Sequence, residues 1–246
     1  MTSAKVPAIT LGFWIIKILA TTLGETGGDS VSMSMDLGYL LATAIFMAVF
    51  VVAVAAQIRT QGFRPWLYWI TIIASTTVGT TLSDFATRSL GIGYAGGSAL
   101  LLGLLLACLF AWHRALGTVS VASVHGAKAG LFYWLTIMFS QTLGTALGDW
   151  TADSAGLGYL GAATIFGALL LLVLALYFFT AVSRTALFWS AFVLTRPLGA
   201  VLGDLLDKPR SHGGLELSRY TATAALLIAI VALVALLPQR PATRAH

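Results

Sequence analysis

Charged residues are scarce in this chain, and their scarcity excludes a water-soluble globule. They make up 9% of the 246 residues, whereas the charged fraction of soluble domains is about a quarter. Apolar residues account for 58% of the chain, and the mean hydropathy is +0.90. The sequence therefore predicts an integral membrane protein with the lipid bilayer as its partner.

Cysteine is nearly absent as well, since Cys108 is the only one and lies within an apolar segment. A single cysteine excludes both a disulfide framework and a thiolate metal site within one chain. Although the formal net charge is +5, there is no basic cluster, so nucleic acid is not an expected partner. The chain also lacks a nucleophile with a partner base, and we therefore expect neither an enzyme nor a cofactor.

What the sequence does contain is one motif repeated four times. Each copy has a tryptophan preceded by another aromatic residue, and the tryptophans are Trp14, Trp69, Trp134 and Trp189. A glycine follows ten residues later and an aspartate fifteen residues later in every copy: Gly24, Gly79, Gly144 and Gly199, then Asp29, Asp84, Asp149 and Asp204. Matches in phase at several positions indicate an internal repeat, and we interpret the unit as a helical hairpin.

Each repeat carries two apolar segments of about 20 residues, the length that a helix needs to cross the hydrocarbon of a bilayer. The predicted spans run over about 11–29, 38–57, 66–86, 93–112, 131–150, 158–180, 187–205 and 219–237. We therefore expect an all-α membrane protein with one transmembrane domain, residues 1–246. Its eight helices would come from four parallel two-helix repeats at about 11–58, 65–113, 130–181 and 185–238.

The loops predict which side of the membrane each end of the bundle faces. The face with both termini carries eight cations and no acid: Lys5, Arg59, Arg64, Arg114, Lys128, Arg184, Arg240 and Arg244. The opposite face carries all nine acids and only four cations: Arg88, Lys208, Arg210 and Arg219. Because Lys and Arg are enriched in cytoplasmic loops, we expect a bacterial inner-membrane protein with both termini in the cytoplasm.

The odd-numbered spans carry the polar stripes and the repeated glycines, whereas the even-numbered spans have no internal charge and are rich in Leu, Ala, Val and Ile. The arrangement that hides the polar faces is an inner ring of odd helices wrapped by an outer ring of even helices. The glycine ten residues after each tryptophan would let neighbouring inner helices approach closely. We expect the four tryptophans themselves to be anchors at the membrane interface.

Within each inner helix, a polar stripe is formed by the residues eight, eleven and fifteen positions after the tryptophan. In chain order the stripes are Thr22, Glu25 and Asp29; Thr77, Thr80 and Asp84; Thr142, Thr145 and Asp149; and Pro197, Ala200 and Asp204. Thr21, Thr76, Gln141 and Arg196 lie one position to the side. Polar groups in hydrocarbon must be paired or hydrated, so the stripes predict an axial polar path. The aspartates either form a cation-selective ring or cap helix ends, and the threonines either contact a solute or join helices.

Three charged residues break the fourfold pattern: Lys17, Glu25 and Arg196. Ionisable residues inside a membrane are functional candidates by default. The first and fourth inner helices are neighbours in a closed ring, with Arg196 about one turn below Glu25, so we predict that these two residues form an ion pair. The pair is either a static clamp that closes the ring or a switch in which a substrate or proton competes for Glu25.

The repeated tryptophans, with the glycine and aspartate that follow each of them, resemble those of a known family over nearly the whole chain. It is a family of bacterial integral membrane proteins with four tandem two-helix repeats and no known function, and the resemblance implies the fold and membrane location. A second resemblance is local. The segment from Glu25 to Ser30 is similar to the Glu-x-Gly-Asp signature of exporters of manganese and calcium, with one additional glycine between Glu25 and Asp29.

The function that we expect is transport of a small cation, by a proton-linked transporter or channel. Glu25, Asp29, Asp84 and Asp149 are the candidate metal ligands, because carboxylate oxygens suit hard divalent ions and the stripes contain neither Cys nor His. Lys17 and Arg196 act as a charge gate in this interpretation. They also favour an alternative, a transporter for an anionic or zwitterionic organic solute. A third alternative is a scaffold or sensor that transports nothing, and the sequence leaves a homo-oligomer open.

Overall fold

The computed structural model describes residues 4–242, so Arg244 lies outside the described residues. The eight α-helices of this part of the chain are α1 (Leu11–Asp29), α2 (Gly38–Arg59), α3 (Pro65–Asp84), α4 (Gly93–Leu116), α5 (Ala127–Asp149), α6 (Gly158–Phe179), α7 (Arg184–Asp207) and α8 (Arg219–Leu236). The predicted segments are therefore confirmed as helices, although α4, α5 and α7 are longer than expected. By length and composition, α2, α4, α6, α7 and α8 are apolar enough to cross a membrane.

Local sequence sets the ends of the helices. Thr10 caps α1 by accepting a hydrogen bond from the Phe13 amide at 3.2 Å, and Pro65 occupies the first turn of α3. In the first three repeats the inner helix continues into a five-residue π-helical turn that starts directly after the motif aspartate: Ser30–Ser34, Phe85–Ser89 and Trp150–Ser154. The outer helix then begins at a glycine with positive φ in each case, namely Gly38, Gly93 and Gly158.

The four inner helices α1, α3, α5 and α7 form a closed ring, in which each helix packs against the next and α7 packs against α1. The repeated glycines lie at these contacts. Each one faces the residue seven positions after the tryptophan of the next copy, which gives the pairs Gly24 with Thr76, Gly79 with Gln141, Gly144 with Arg196 and Gly199 with Thr21. A Cβ atom at Gly79 would lie 2.8 Å from the backbone carbonyl carbon of Gln141, so only glycine allows this approach.

The outer helices do not pack where a hairpin would place them. Each contacts the inner helix of the following repeat: α2 lies on α3, α4 on α5, α6 on α7, and α8 on α1. The two helices of one repeat make little contact with each other, so the hairpin interpretation is wrong. Large apolar side chains on the outer helices point away from the ring. More than 60% of the surface is exposed in each of Leu40, Val52, Leu171 and Ile228. Such an apolar outer surface is typical of helices that face lipid.

The two terminal segments lie side by side at the tryptophan end of the ring. The Ala8 amide donates to the Arg240 carbonyl at 2.7 Å, and the Ala242 amide donates to the Val6 carbonyl at 2.8 Å. The Lys5 amide also donates to the Val124 carbonyl in the loop between α4 and α5. Both ends of the described chain are therefore on one face of the bundle, as an even number of helices requires.

A disulfide cross-link between α4 and α5 tests whether each outer helix packs on the inner helix of the following repeat. The Cys108 sulfur lies 3.3 Å from the Thr136 hydroxyl of the next repeat, and the chain has no other cysteine. We expect Thr136→Cys to form a disulfide with Cys108 in most molecules after mild oxidation, measured by mass spectrometry as the loss of two free thiols. Thr77→Cys, on the inner helix that belongs to the same repeat as Cys108, should keep both thiols. A cross-link in the second variant and none in the first would contradict the packing.

Candidate functional site

The tryptophan end of the ring is closed by aromatic side chains that pack against one another at tilted angles. The aromatic residue before each tryptophan packs against the tryptophan of the next copy, with ring centroids 5.6–6.2 Å apart: Phe13 with Trp69, Tyr68 with Trp134, Tyr133 with Trp189, and Phe188 with Trp14. The hydroxyls of Tyr68 and Tyr133 lie 2.7 Å apart. We name this set the aromatic layer.

The aromatic layer corrects, for three of the four tryptophans, the expectation that they are anchors at the membrane interface. Trp69, Trp134 and Trp189 are only 2–5% exposed, whereas Trp14 is partly exposed. The reason is geometric: the motif places each buried tryptophan beside the aromatic residue of the preceding copy, on a helix that its own helix touches, so the two rings pack together. The axis of the ring is therefore filled by side chains at this end.

The centre of the ring is occupied by the Arg196 side chain, which is completely buried. Its Nη2 atom donates to Glu25 Oε2 at 3.0 Å and to Thr80 Oγ1 at 2.6 Å, and it also contacts the Thr145 hydroxyl. Its Nη1 atom donates to the Thr21 carbonyl at 3.4 Å. The predicted ion pair of Glu25 and Arg196 is confirmed, and all four inner helices meet at this one guanidinium.

The residues eleven positions after the tryptophan surround the guanidinium of Arg196. They are Glu25, Thr80, Thr145 and Ala200, so three copies present an oxygen to Arg196 and the fourth presents only a methyl group. Thr80 bridges two of the helices, since its hydroxyl also lies 3.0 Å from the Gly24 carbonyl. The level of Arg196 is therefore a closed, hydrogen-bonded layer across the ring.

Lys17 lies nearer the aromatic layer and is also completely buried. Its ammonium group lies 4.2 Å from the centre of the Phe192 ring and 3.4 Å from the Thr195 hydroxyl. Among the described residues it has no carboxylate partner. Lys17 is thus a buried amine that is held by an aromatic face and a hydroxyl.

At the opposite end, the four motif aspartates are buried and are bridged in pairs by two cations. Arg88 lies 3.2 Å from Asp84 and 3.3 Å from Asp149. Lys208 lies 2.7 Å from Asp29 and 3.1 Å from Asp204. Although burial opposes its charge, the carboxylates of Asp204, Asp29 and Asp207 raise the pKa of Lys208 above its ordinary value. We name the four aspartates with Arg88 and Lys208 the acidic layer.

The fourth repeat adds a further ion pair beside the acidic layer. Arg219, at the start of α8, lies 3.2 Å from Asp207 and 3.9 Å from Asp29. Asp207 follows the motif aspartate of its own helix by three positions. The fourth repeat therefore supplies a local acid together with the cation that neutralises it.

The buried charges at this end of the ring do not balance. Six buried carboxylates, the four motif aspartates with Glu25 and Asp207, face four cations: Arg88, Arg196, Lys208 and Arg219. Two negative charges remain when all of these groups are ionised. An uncompensated charge in a buried site is costly, so this excess of carboxylates favours protonation or a bound cation.

Two groups of carboxylates are close enough to share a metal ion. Glu25, Asp149 and Asp204 form one group, and Asp29, Asp204 and Asp207 form the other, with the ligand oxygens of each group within 4.8 Å of one another. The four metal ligands predicted from the sequence do not form one such group: Glu25, Asp29, Asp84 and Asp149. Asp84 belongs to neither group and is paired with Arg88.

The threonines on and beside the stripes donate hydrogen bonds to backbone carbonyls, some of them on the neighbouring inner helix. Thr21 donates to the Thr195 carbonyl and Thr76 to the Ala20 carbonyl, both at 3.1 Å, and these bonds tie neighbouring inner helices together. Thr22, Thr77 and Thr142 donate to carbonyls of their own helices. The Gln141 amide lies 3.5 Å from the Ser75 hydroxyl, and its carbonyl oxygen has no partner among the described residues.

Sequence reasoning missed Arg88 and Lys208 as members of the site. Both had been counted only as loop cations, although they stand at the same repeat position, nineteen residues after the tryptophan. That coincidence of position was the available signal. It was overlooked because the other two copies carry Met33 and Asp153 there, so the position has no common residue type.

Comparison with known proteins gives a match for the repeat and none for the whole protein. A family model described as Repeat of Unknown Function (DUF347) matches residues 12–63, 67–118, 132–183 and 187–238. The tryptophan of the motif is the third residue of every matched segment. No curated protein and no solved structure matches the chain.

Proposed function

The chain belongs to the family described as Repeat of Unknown Function (DUF347), and from its geometry we propose that it carries a small cation across the membrane in exchange for protons. The observation that carries this proposal is the charge imbalance of the acidic layer. Two uncompensated carboxylates, buried beside Glu25, form a site that is neutral only when protons or cations occupy it. Because protons and cations compete for the same carboxylate oxygens, the transport of one is coupled to the transport of the other.

The proposed protein is a carrier rather than an open channel. Side chains fill the axis at two levels, the guanidinium of Arg196 and the aromatic layer, and a fixed positive charge on the axis is a barrier to cation flow. The switch interpretation of the Glu25 and Arg196 pair fits this arrangement. When a cation or proton takes Glu25, Arg196 loses the one carboxylate that pairs with it among the described residues, and the layer that joins the four inner helices is weakened.

The proposal includes the orientation in the membrane. All eight α-helices span the bilayer, with the more polar α1, α3 and α5 shielded by the apolar outer helices. The positive-inside rule then places the termini and the aromatic layer at the cytoplasmic side of a bacterial inner membrane, and the acidic layer at the outer side. Cations would enter the acidic layer from outside.

Flux through proteoliposomes tests the function. We expect the wild-type protein to carry at least one ion of a panel of Mn²⁺, Ca²⁺, Mg²⁺, Na⁺ and K⁺, with a proton movement in the opposite direction reported by an internal pH dye. Glu25→Gln should lower this flux by about tenfold or more, because the titratable oxygen next to Arg196 is removed. Asp36→Asn, which changes an exposed acid outside the ring, should leave it unchanged. Equal flux in wild type and Glu25→Gln would contradict the proposal.

The same flux assay distinguishes an inorganic cation from the alternative substrate class, an organic anion or zwitterion. Lys17 has no carboxylate partner in the described part of the chain, which favours an anionic or zwitterionic organic solute as the second candidate. Flux of organic anions that is lost in Lys17→Met, without flux of any inorganic cation, would support that candidate. No flux of any solute would favour a scaffold or sensor.

A further inference from the structure

The position nineteen residues after the tryptophan divides the four repeats into two kinds. Copies two and four carry Arg88 and Lys208 there. Each of these cations contacts the aspartate of its own repeat, four residues earlier, and the aspartate of the next repeat. Two of the four junctions between neighbouring repeats are therefore filled by a cationic side chain held between two carboxylates.

The remaining two junctions have no such cation. Copy one carries Met33 at this position, and copy three carries Asp153, which is exposed. The junction of copies three and four therefore brings Asp149 and Asp204 together without a bridging side chain from copy three. Glu25 joins them from across the ring and completes the group whose ligand oxygens lie within 4.8 Å of one another.

Each carboxylate at this junction has one cation beside it, but one oxygen of Asp149 and one of Asp204 make no hydrogen bond among the described residues. Asp149 is 1% exposed, and its Oδ1 atom is buried without a hydrogen bond among the described residues. Asp204 Oδ1 lies 3.1 Å from the Lys208 ammonium but not in hydrogen-bonding geometry. Buried carboxylate oxygens are rarely left unsatisfied, so an unpaired oxygen on a carboxylate that lies this close to two others indicates a ligand.

We propose that Glu25, Asp149 and Asp204 bind a divalent cation at the junction of the third and fourth repeats. This inference rests on the proposed function and names its substrate class. The bound ion takes the place that Arg88 and Lys208 take at their own junctions, and its two charges offset the two negative charges left in the buried layer. Oxygen ligands alone suit Mg²⁺, Ca²⁺ or Mn²⁺.

The other groupings of aspartates fit this cation less well. Asp29, Asp204 and Asp207 are close together, but Lys208 and Arg219 each contact two members of this group. The carboxylates of the Glu25 group are also ion-paired, but each of their cations, Arg196, Arg88 and Lys208, contacts only one member of that group. At the junction of the first and second repeats, no group of three such ligands among the described residues contains both Asp29 and Asp84. The site is thus assigned to one junction of the four.

A tethered cation provides the test, because it can fill the site without removing a ligand. In Asp153→Lys the third repeat gains at position 153 the kind of side chain that bridges the carboxylates in the second and fourth repeats. We expect the wild-type protein in detergent to bind one Mn²⁺, measured by electron paramagnetic resonance, and Asp153→Lys to bind it about tenfold more weakly or not at all.

Two matched variants serve as controls. Met33→Lys adds the same side chain at the equivalent position of the first repeat, and Asp153→Met removes the acid without adding a cation. Both are expected to bind Mn²⁺ like the wild type, and gel filtration checks that all variants are folded. Unchanged binding in Asp153→Lys, or an equal loss in Met33→Lys, would overturn the assignment.

The failure of this inference is distinguishable from the failure of the proposed function. If the wild-type protein carries a cation in proteoliposomes but binds no Mn²⁺ in detergent, the divalent site is wrong and the transport function stands. If it binds Mn²⁺ with the expected pattern of variants but carries nothing, the site stands and the transport function is wrong.

Discussion

Replacing Arg196 with methionine is expected to lower the free energy of unfolding by about 3 kcal/mol or more, because the change removes one partner of a completely buried ion pair. Glu25 would then be left without its cation, and the Thr80 and Thr145 hydroxyls would lose the donor that they share. Denaturant titration in mixed micelles, followed by tryptophan fluorescence, measures the effect.

The double variant Arg196→Met with Glu25→Gln separates the ion pair from simple packing. Once both charges are gone, no uncompensated carboxylate remains at this position, so the double variant should be more stable than Arg196→Met alone. A double variant that is as unstable as the two single changes added together would show that the pair contributes through shape and not through charge.

Replacing Gly79 with alanine is expected to lower the free energy of unfolding by about 3 kcal/mol, because the added Cβ would lie 2.8 Å from both the carbonyl carbon and the Cβ atom of Gln141. The inner helices α3 and α5 would have to separate, and a closed ring cannot relax at one contact without strain at the others. Thermal unfolding in detergent measures the change.

Gly103 in α4 provides a matched control for this substitution. A Cβ atom there meets nothing within 4 Å, so Gly103→Ala should keep or slightly raise the melting temperature, as expected for alanine in a helix. If both glycine variants melted at the same temperature as the wild type, the close approach of the inner helices would be contradicted.

The parts of the fold that the sequence predicted are those that depend on local pattern. The fourfold repeat of Trp14 and its equivalents located the helices, because apolar length and periodicity act within one segment. The ion pair of Glu25 and Arg196 was predictable because a closed ring makes the first and last inner helices neighbours, and both residues are exceptions at their repeat positions.

The parts that the sequence did not predict depend on which segments are neighbours. A repeat pattern does not say whether α2 packs on α1 or on α3, since both partners offer an apolar face of similar character. Trp69, Trp134 and Trp189 were misassigned for the same reason: an interfacial anchor and a buried aromatic contact have the same sequence signature. Arg88 and Lys208 were missed because only the three-dimensional arrangement places the aspartate of the next repeat beside each of them.

The packing of each outer helix on the inner helix of the next repeat has a consequence for biosynthesis. The outward face of α1 is covered by α8, which is synthesised after the other seven described helices, and Glu25 finds its partner only 171 residues further along the chain. Until Arg196 is in place, the charge of Glu25 is unmatched. The ring therefore closes late in synthesis, when α7 and α8 dock beside α1.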